Sequence, residues 1–480
     1  MAGPLDGATG LLVDGRWRVS GTELVVTDKY TQQPFATIQQ ARPGDVEAAV
    51  GAAAVAASHP MPPARRHDIL GEASRLLAAR RDEICATYVA ETGFTPQDAA
   101  AEMSRAVATM RISAEESVRI AGEEVPVAAA PGSEGRLAFT IRVPVGVVAA
   151  ITPFNAPLNT VVHKIAPAIA AGNAVVLKPA EQTPLCAVAL AQVLLEAGLP
   201  PGFLQLVCGP GETTGTALVA DRRVRFFTFT GSTAVGLGIK QNSGIAKTHL
   251  ELGSNSASIV AADADLDLVA DLVMRAGYRK AGQVCTSVQR LIAHASIADD
   301  LTGRLAKRVT ALRAGDPRAA GVQVGPMIAP AEAERAQGWI RQAVQRGAAL
   351  LAGGDRDGPV LTPALLRDPP ADSQIMTGEI FAPAVALVTV GGLDEAIDLV
   401  NAGQYGLQAG VFTRDLDAAF SAARRLQVGG VMINDTSSYH ADAMPYGGVK
   451  NSGYGLEGPR YAVQDMTDPR IIVLNLREGT

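Results

Sequence analysis

The chain has 480 residues, of which 48% are hydrophobic, 19% charged and 4% aromatic, and its formal net charge is -6. Since a single hydrophobic core stops growing at about 250–300 residues, this length predicts two large lobes. The excess of acidic over basic residues removes the electrostatic attraction on which non-specific binding to a phosphate backbone depends, so we expect no nucleic-acid partner.

The cysteines and the apolar runs indicate the compartment. Cys85, Cys186, Cys208 and Cys285 are too scattered for a disulfide framework or for the paired spacing of a zinc site, so we expect a reducing environment and no metal. Residues 1–15 lack the basic start and apolar stretch of a secretory signal. The apolar run 145–151 is far shorter than the roughly 18 residues of a membrane span. These features predict a cytoplasmic protein with no membrane partner.

The pattern along the chain changes from helical to mixed near residue 140. Residues 43–122 are alanine-rich and place apolar side chains at helical spacing, which predicts a helical layer. A second α/β series begins near Ala257 and includes a predicted helix at 300–312. Alternating or apolar stretches near both ends of the α/β region, 135–143 and 470–476, predict edge strands. Continuous apolar runs, typical of parallel strands buried on both faces, predict further strands at 147–151, 174–177, 204–207 and 226–229.

Among the cysteines only Cys285 has an unusual neighbourhood. In Gly282-Gln283-Val284-Cys285 it follows a glycine closely and begins a polar stretch, where backbone amides could surround a thiolate. The alternative is a buried small apolar residue, which is how the other three cysteines are interpreted. The spacing alone leaves both interpretations open.

Two further positions carry candidate catalytic side chains. Glu251 lies between two leucines, where desolvation would raise the pKa of its carboxyl toward that of a general base. A solvated glutamate at a strand end is the alternative. Asn155 is framed by prolines directly after the strand 147–151, where open α/β sheets place their sites, so its amide could stabilise an oxyanion. An Asx turn explains this asparagine equally well.

Two glycine-rich segments compete as the phosphate loop of a nucleotide site. Residues 209–215 (GPGETTG) miss the GxGxxG spacing by one residue and carry a proline in the turn, so we do not interpret them as a standard fingerprint. Residues 229–236 (FTGSTAVG) are the better candidate, because a strand ends at glycine and Ser232 can begin a helix whose free amides suit a pyrophosphate. Lys178 and Glu181, just beyond another strand, are suited to hydrogen-bond a ribose.

Seven segments, taken in order, resemble the aldehyde dehydrogenase superfamily over almost the whole chain. They are TPFN (152–155), LKPAE (177–181), FTGS (229–232), LELG (250–253), GQVC (282–285), EIFAP (379–383) and PYGGVKNSG (445–453). The resemblance implies an α/β fold with a nonstandard Rossmann cofactor domain, an α/β catalytic domain and a small β bridging domain. The implied bounds are 1–120 and 140–250 for the cofactor domain, 251–445 for the catalytic domain, and 121–139 and 463–480 for the bridging strands. The family assembles through that bridge, so we expect a homodimer or homotetramer.

The same resemblance implies the catalytic roles. Cys285 would attack the aldehyde to give a thiohemiacetal, and Asn155 would stabilise its oxyanion. Glu251 would then activate the water that hydrolyses the thioester. Relatives that transfer the acyl group to coenzyme A typically lack this glutamate, so its presence favours a free acid as the product.

The resemblance also assigns a nicotinamide dinucleotide site. Because a carboxylate at Glu181 would repel a 2′-phosphate, NAD is favoured over NADP. By the resemblance, Lys178 and Glu181 would contact the adenosine ribose. Gly231 and Ser232 would contact the pyrophosphate, and Glu379 and Phe381 the nicotinamide ribose.

The sequence around Cys285 and after Met444 most resembles that of the family branch that oxidises small oxygenated aldehydes. That branch includes lactaldehyde, non-phosphorylating glyceraldehyde-3-phosphate and phosphonoacetaldehyde dehydrogenases. Members for dianions commonly place basic residues where this chain has Val284 and Ala156. We therefore expect a neutral or singly charged short aldehyde, with a phosphonate- or phosphate-bearing aldehyde as the alternative.

Five side chains are expected around the substrate: Arg105, Phe154, Leu158, Tyr439 and His440. Of these, Arg105 and His440 are candidates for binding an anionic group. A solvated helix residue and an ordinary loop histidine are the respective alternatives.

Two other classes of function are weighed against this one. A cysteine hydrolase needs a histidine to activate the thiol, and none of the six histidines lies in a fitting motif near Cys285. A noncatalytic descendant that binds NAD or an aldehyde should have lost Cys285, Glu251 or Asn155, and all three are present.

Overall fold

Two large, mainly parallel β-sheets organise residues 10–476, the part of the chain that the computed structural model describes. Residues 1–9 and 477–480 lie outside the described residues. The first range covers most of the segment searched for a secretory signal, and the second covers the end of the predicted bridging strands. Of the helices between residues 10 and 476, none combines the length and apolar character that a bilayer crossing requires.

The first sheet has eight strands, with parallel strands in its centre and short antiparallel strands at its edges. The central strands are apolar and buried along most of their length, because helices cover both faces. The four strands predicted between residues 147 and 229 are confirmed to within two residues at either end. In spatial order the strands are Arg16–Arg18, Leu11–Val13, Leu204–Leu206, Ala174–Lys178, Val147–Ile151, Val224–Thr230, Lys247–Glu251 and Gly453–Tyr454.

The second sheet has seven strands and is parallel except for one edge strand. It begins with Ala257–Val260, which confirms the second α/β series. Separate apolar cores lie on its two faces, and a third core surrounds the first sheet. Each large sheet is therefore packed on apolar cores of its own, as expected for two lobes. In spatial order the strands are Ala349–Ala352, Ala364–Arg367, Ala384–Val390, Arg290–His294, Ala257–Val260, Gln408–Phe412 and Gly430–Ile433.

A small antiparallel sheet joins distant parts of the chain. In spatial order its strands are Thr467–Asn475, Arg136–Pro144 and Glu124–Val125. Both predicted strands are present, but Arg136–Pro144 is not an edge strand, because it pairs with a neighbour on either side. Apolar side chains on this sheet remain exposed, with Ile471 at 52% and Val473 at 49%. The three two-stranded ribbons are Glu23–Thr27 with Pro34–Gln39, Arg356–Asp357 with Val360–Leu361, and Tyr405–Gly406 with Val449–Lys450. Assembly through the small sheet and the domain bounds remain predictions.

The predicted helical layer is confirmed as four helices, Pro43–Ala57, Pro63–Ala79, Arg81–Thr92 and Pro96–Ser117. The prediction of a helix at 300–312 was wrong at its start. This helix begins at Ala295, because the His294 side chain accepts a hydrogen bond from the Ser296 amide (3.1 Å) and caps it, and it ends at Thr310. The other helices are Asn159–Ala170, Leu185–Glu196, Thr216–Ala220, Thr233–Asn242, Leu266–Tyr278, Pro330–Gln345, Gln374–Thr377, Leu393–Asn401, Leu416–Arg425 and Pro459–Asp465.

Candidate active site

Four predicted site residues lie at the carboxyl ends of four neighbouring parallel strands of the first sheet: Asn155, Lys178, Gly231 and Glu251. This edge is where open α/β sheets form their sites, because the loops that follow the strands diverge there. The sequence therefore predicts this part of the site through strand ends alone.

A cleft of about 890 Å³ opens along this edge. Phe154, Asn155 and Cys285 line it. So do all six residues expected to contact the cofactor: Lys178, Glu181, Gly231, Ser232, Glu379 and Phe381. The segment 209–215, which the sequence did not favour, contributes to the same wall. Its residues Gly211–Gly215 form one turn of π-helix there, a geometry that a spacing rule for glycines does not encode.

The groups along the cleft fit a dinucleotide. Ser232 accepts a hydrogen bond from the Val235 amide (3.4 Å) and caps the helix Thr233–Asn242, so the positive end of that helix lies at the cleft. The hydroxyls of Thr152 and Thr230 also lie at the cleft and are buried without a hydrogen-bond partner among residues 10–476. Buried polar groups normally find partners, so these hydroxyls suit a polar ligand.

Glu379 and Phe381 reach the cleft from the second lobe. Glu379 accepts a hydrogen bond from the Ser254 amide (2.9 Å), and burial raises the pKa of its carboxyl to about 7. Phe381 has a φ of 50°, and its ring meets that of Phe154 edge-on, with the centroids 5.8 Å apart. These contacts tie the loops of the two lobes together. They also place Phe154, expected at the substrate, on the cofactor side.

The loop before Cys285 has an uncommon backbone. Lys280, Ala281 and Gly282 have φ values of 52°, 53° and 67°, and a side chain pays strain in this left-handed region. A Cβ on Gly282 would lie 2.0 Å from the carbonyl oxygen of Ala382. The glycine of the GQVC segment is therefore required both by its φ and by this close approach.

A buried ion pair holds this loop. Lys280 donates to the carboxylate of Glu102 and to the backbone carbonyl of Asn155 (2.9 Å). Glu102 also accepts the backbone amides of residues 158 and 159, at 3.2 and 3.1 Å. Although burial by itself would raise the pKa of Glu102, the Lys280 ammonium and these hydrogen bonds hold it below its usual range. One carboxylate thus fixes both the loop before Cys285 and the segment after Asn155.

The amide of Asn155 reaches across to the second lobe. Its Nδ2 donates to the carbonyl of Gln283, 2.8 Å away. The Asx-turn interpretation is wrong, because the residue two positions further on is Pro157, which has no N–H to donate to the asparagine oxygen. An amide nitrogen carries two hydrogens, so the second remains for a ligand beside Cys285.

The thiol of Cys285 is partly exposed, and its Sγ lies 3.0 Å from the hydroxyl of Tyr446. Burial raises the pKa of Cys285 to about 11, an effect that the Tyr446 hydrogen bond opposes and nearby carboxylates increase. The other cysteines differ. Cys186 and Cys208 are buried as expected, whereas Cys85 is only partly buried and packs against the core around the first sheet.

Glu251 is only 3% exposed, so the interpretation as a solvated glutamate is wrong. One carboxylate oxygen lies 2.9 Å from His249 Nε2, and the other has no hydrogen-bond partner among residues 10–476. The pKa of Glu251 is raised well above its ordinary value, mainly by burial and to a smaller extent by the nearby Glu457 carboxylate. Glu457 itself pairs with the buried Lys164 (2.7 Å), and this ammonium holds its pKa low against the effect of burial. The two carboxyls therefore differ in their readiness to accept a proton.

A polar cluster lies on the far side of Tyr446. The ring of His440 packs on that of Tyr446 with a centroid separation of 4.6 Å, and Arg105 donates to His440 Nδ1. Arg105 also pairs with Asp442 (2.8 Å), which accepts from His163 Nε2 at 3.1 Å. Neither the solvated-helix interpretation of Arg105 nor the plain-loop interpretation of His440 holds, because both side chains belong to this cluster.

The remaining substrate candidates are not brought to the cluster. Leu158 is 1% exposed and is buried in the core around the first sheet, and Tyr439 is 50% exposed. Sequence reasoning missed Arg279, which is partly buried and donates to Ser438 Oγ (2.9 Å). It also missed Asp442 and the role of Tyr446 as a neighbour of Cys285. Of the three, only Tyr446 lies inside a quoted motif, PYGGVKNSG, so its place there was the available signal.

The sequence profile of the aldehyde dehydrogenase family matches residues 17–472. The chain belongs to this family. It is therefore an oxidoreductase that acts on aldehydes, and the family uses a nicotinamide dinucleotide. The suspected branch is confirmed as well, since sulfolactaldehyde and lactaldehyde dehydrogenases are among its relatives.

Individual relatives match over nearly their whole length. A 3-sulfolactaldehyde dehydrogenase of Priestia aryabhattai is 48% identical over 467 residues, covering 97% of this chain and 98% of the relative. The crystal structure of aldehyde dehydrogenase 21 from Physcomitrella patens in complex with the reaction product succinate is 35% identical, with a TM-score of 0.94 and coverage of 97% and 98%. Glyceraldehyde-3-phosphate dehydrogenase GapN from Methanocaldococcus jannaschii, complexed with NADP, is 33% identical, with a TM-score of 0.92 and coverage of 95% and 100%. The expected fold class is thus confirmed.

Proposed function

We propose that this aldehyde dehydrogenase uses NAD to oxidise a short aldehyde carrying one negative charge, of which 3-sulfolactaldehyde is an example, to its carboxylic acid. The observation that carries the substrate class is the partly buried guanidinium of Arg279, which lies close enough to Cys285 to interact with it electrostatically. Among residues 10–476 it forms no salt bridge, although the Asp98 carboxylate lies near enough to act on its pKa.

The cofactor is held by the residues along the cleft. Lys178 and Glu181 bind the adenosine ribose, Ser232 and the helix it caps bind the pyrophosphate, and Glu379 binds the nicotinamide ribose. The bound dinucleotide supplies the acceptor for the hydride that leaves the substrate. Glu181 lies close enough to Lys178 to influence its ammonium, and its negative charge disfavours a 2′-phosphate, which supports NAD over NADP.

Cys285 forms the bond to the substrate. Its thiolate attacks the aldehyde carbon, and the carbonyl electron pair moves to oxygen. The free N–H of Asn155 then donates to this oxyanion. Because the hydrogen bond to Gln283 fixes the asparagine amide, the donor is in place before the charge develops.

Glu251 completes the reaction. Its carboxylate takes a proton from the water that attacks the thioester carbon, the carbon–sulfur bond breaks, and the Cys285 thiolate leaves with the bonding electrons. Its raised pKa makes the Glu251 carboxylate a stronger base at neutral pH than an ordinary glutamate. His249, whose pKa is lowered to about 4 by burial, is neutral there and hydrogen-bonds the same carboxyl.

The charges near the thiol match a monoanion. Arg105 is neutralised by Asp442, whereas the one side chain between residues 10 and 476 that hydrogen-bonds Arg279 is Ser438, through its hydroxyl. Burial lowers the pKa of His440 to about 3, so this histidine adds no charge at neutral pH. One positive charge is therefore left for the substrate.

His440 adds a directional contact. An arginine can only donate, so His440 Nδ1 must accept from Arg105, and its Nε2 then carries the hydrogen. That Nε2 is buried and has no partner among the described residues. A sulfonate or carboxylate oxygen on the substrate is the kind of acceptor that this N–H lacks.

We further propose that the exposed apolar side chains of the small antiparallel sheet are covered in a homodimer or homotetramer. A patch of this kind, with Ile471 and Val473 about half exposed, is costly on a monomer. Light scattering during gel filtration tests the assembly, and a monomer at micromolar concentration refutes it.

A steady-state survey of aldehydes tests the substrate class. With NAD present, kcat/KM is measured for 3-sulfolactaldehyde, succinic semialdehyde, lactaldehyde, phosphonoacetaldehyde and propionaldehyde. We expect the monoanions to exceed the neutral aldehydes by tenfold or more. A preference for phosphonoacetaldehyde, or for the neutral aldehydes, contradicts the proposal, and NADH formation from none of them favours the noncatalytic alternative.

The variant Arg279→Met tests whether the Arg279 guanidinium binds the negative charge of the substrate. Hydrogen bonds to charged groups contribute about 1.5–3 kcal/mol, so kcat/KM for the monoanions should fall about 10- to 150-fold, while that for propionaldehyde stays within a factor of about three. Arg275→Met is the matched control, since Arg275 is exposed one turn earlier on the preceding helix. Equal losses for charged and neutral aldehydes would show that Arg279 acts on folding and not on the substrate charge.

A further inference from the structure

The hydroxyl of Tyr446 has a fixed position beside the nucleophile. The side chain is buried at 8% exposure, and its ring packs against that of His440. The backbone of Tyr446 is held by two hydrogen bonds with Glu457, at 3.2 and 2.6 Å. With ring and backbone both held, the Oη atom stays 3.0 Å from Cys285 Sγ.

The direction of this hydrogen bond follows from the chemistry of the two groups. Among residues 10–476, Cys285 Sγ is the only hydrogen-bond partner of the Tyr446 hydroxyl. A thiol is a weak donor, whereas a thiolate accepts strongly and cannot donate. Once Cys285 is ionised, the tyrosine hydrogen must therefore point at sulfur.

We propose that Tyr446 is a catalytic residue, whose hydroxyl donates a hydrogen bond to the Cys285 thiolate and thereby favours and orients the attacking form. The inference rests on the proposed role of Cys285 as nucleophile. The proton remains on the tyrosine oxygen throughout, because burial raises the pKa of the Tyr446 phenol well above its ordinary value. No bond other than the hydrogen bond changes at this residue.

The contact offsets an environment that disfavours the thiolate. Burial is the largest effect, and the nearby carboxyls of Glu379, Glu251 and Glu457 act in the same direction. The guanidinium of Arg279 is the charged group that faces the thiol with the opposite sign. Replacing Tyr446 with phenylalanine leaves all four of these groups in place and removes one oxygen atom.

Tyr446→Phe tests the proposal through the thiol itself. The alkylation of Cys285 by iodoacetamide is followed from pH 6 to 11 by peptide mass spectrometry, on the full-length protein without aldehyde. A hydrogen bond to a charged group is typically worth a displacement of about one to two pH units. Because burial holds the pKa of Cys285 near 11, the alkylation rate over this range is proportional to the small thiolate fraction, and a higher midpoint appears as a lower rate at every pH. We expect the midpoint to rise by that amount, so that the rate at pH 7.5 falls about tenfold or more.

Two controls accompany this experiment. Cys85 is partly exposed in a distant helix and serves as an internal reference in the same digest. Tyr461→Phe removes a hydroxyl elsewhere and should leave the Cys285 midpoint unchanged. Far-ultraviolet circular dichroism and NAD affinity verify that Tyr446→Phe is folded. If it is not, site-specific 3-fluorotyrosine at position 446 replaces it, and its stronger donor should lower the midpoint.

An unchanged Cys285 midpoint in folded Tyr446→Phe, or in the fluorotyrosine protein, overturns the proposal. Failure of the proposed function gives a different result. In that case Cys285→Ala retains aldehyde oxidation, while the alkylation profiles of wild type and Tyr446→Phe still differ.

Discussion

Replacing Lys280 with methionine would test how the loop before Cys285 is held. Methionine keeps the length of the side chain but removes the ammonium that pairs with Glu102 and donates to the Asn155 carbonyl. Glu102, only 5% exposed, would then be a buried carboxylate without its counterion.

The size of the effect follows from what Glu102 retains. Breaking a buried ion pair by removing one partner destabilises by about 3–5 kcal/mol. Glu102 keeps the hydroxyl of Tyr88 at 3.2 Å and two backbone amides, which compensate part of its charge. We therefore expect the lower end, about 3 kcal/mol. In the double variant with Glu102→Gln both charges are absent, so the combined loss should fall short of the sum of the single losses by about 0.5–3 kcal/mol.

The free energies are obtained from urea unfolding curves at a fixed protein concentration, with Lys307→Met on an exposed helix position as the control. The pKa of Glu102 is lowered in the folded protein, so its contribution to stability is present above the unfolded pKa of about 4.3 and is lost as the pH falls. The difference between wild type and Lys280→Met should therefore shrink below about pH 4.

An effect no larger than that of Lys307→Met, about 0.5 kcal/mol at neutral pH, would refute the reasoning. Additive losses in the double variant would refute it too. Either result means that the Glu102 charge is compensated by other groups, and that the loop before Cys285 is held by packing alone.

Three further results are expected. Glu251→Gln should release one equivalent of NADH per active subunit and then turn over about 10²- to 10⁴-fold more slowly; a missing burst would mean that Glu251 is needed before the thioester forms. Glu181→Ser should raise the ratio of kcat/KM for NADP to that for NAD at least tenfold, and an unchanged ratio excludes Glu181 as the discriminating carboxylate. Asp442→Asn leaves Arg105 unneutralised, so phosphonoacetaldehyde should gain on 3-sulfolactaldehyde in a competition assay; a gain for propionaldehyde instead would contradict the charge argument.

The sequence by itself determined the fold class, the central strands of the first sheet and many of the residues that line the cleft. Continuous apolar runs predict the strands at 147–151 and 174–177, because a strand buried on both faces needs apolar side chains at every position. Polar residues directly after such runs then fall on one edge of the sheet. Asn155, Lys178 and Glu251 could be placed for this reason, and the motifs added Cys285.

The tertiary structure alone decided which charges meet. Arg105 pairs with Asp442 across 337 positions, Lys280 with Glu102 across 178, and Cys285 contacts Tyr446 across 161. Local patterns encode burial and periodicity, but they carry no information on how the loops of two separate sheets approach each other. In the described part of the chain, that approach leaves Arg279 without a salt bridge and places the Tyr446 hydroxyl at the Cys285 thiol. It therefore determines the charge around the proposed substrate site and the surroundings of the Cys285 thiol.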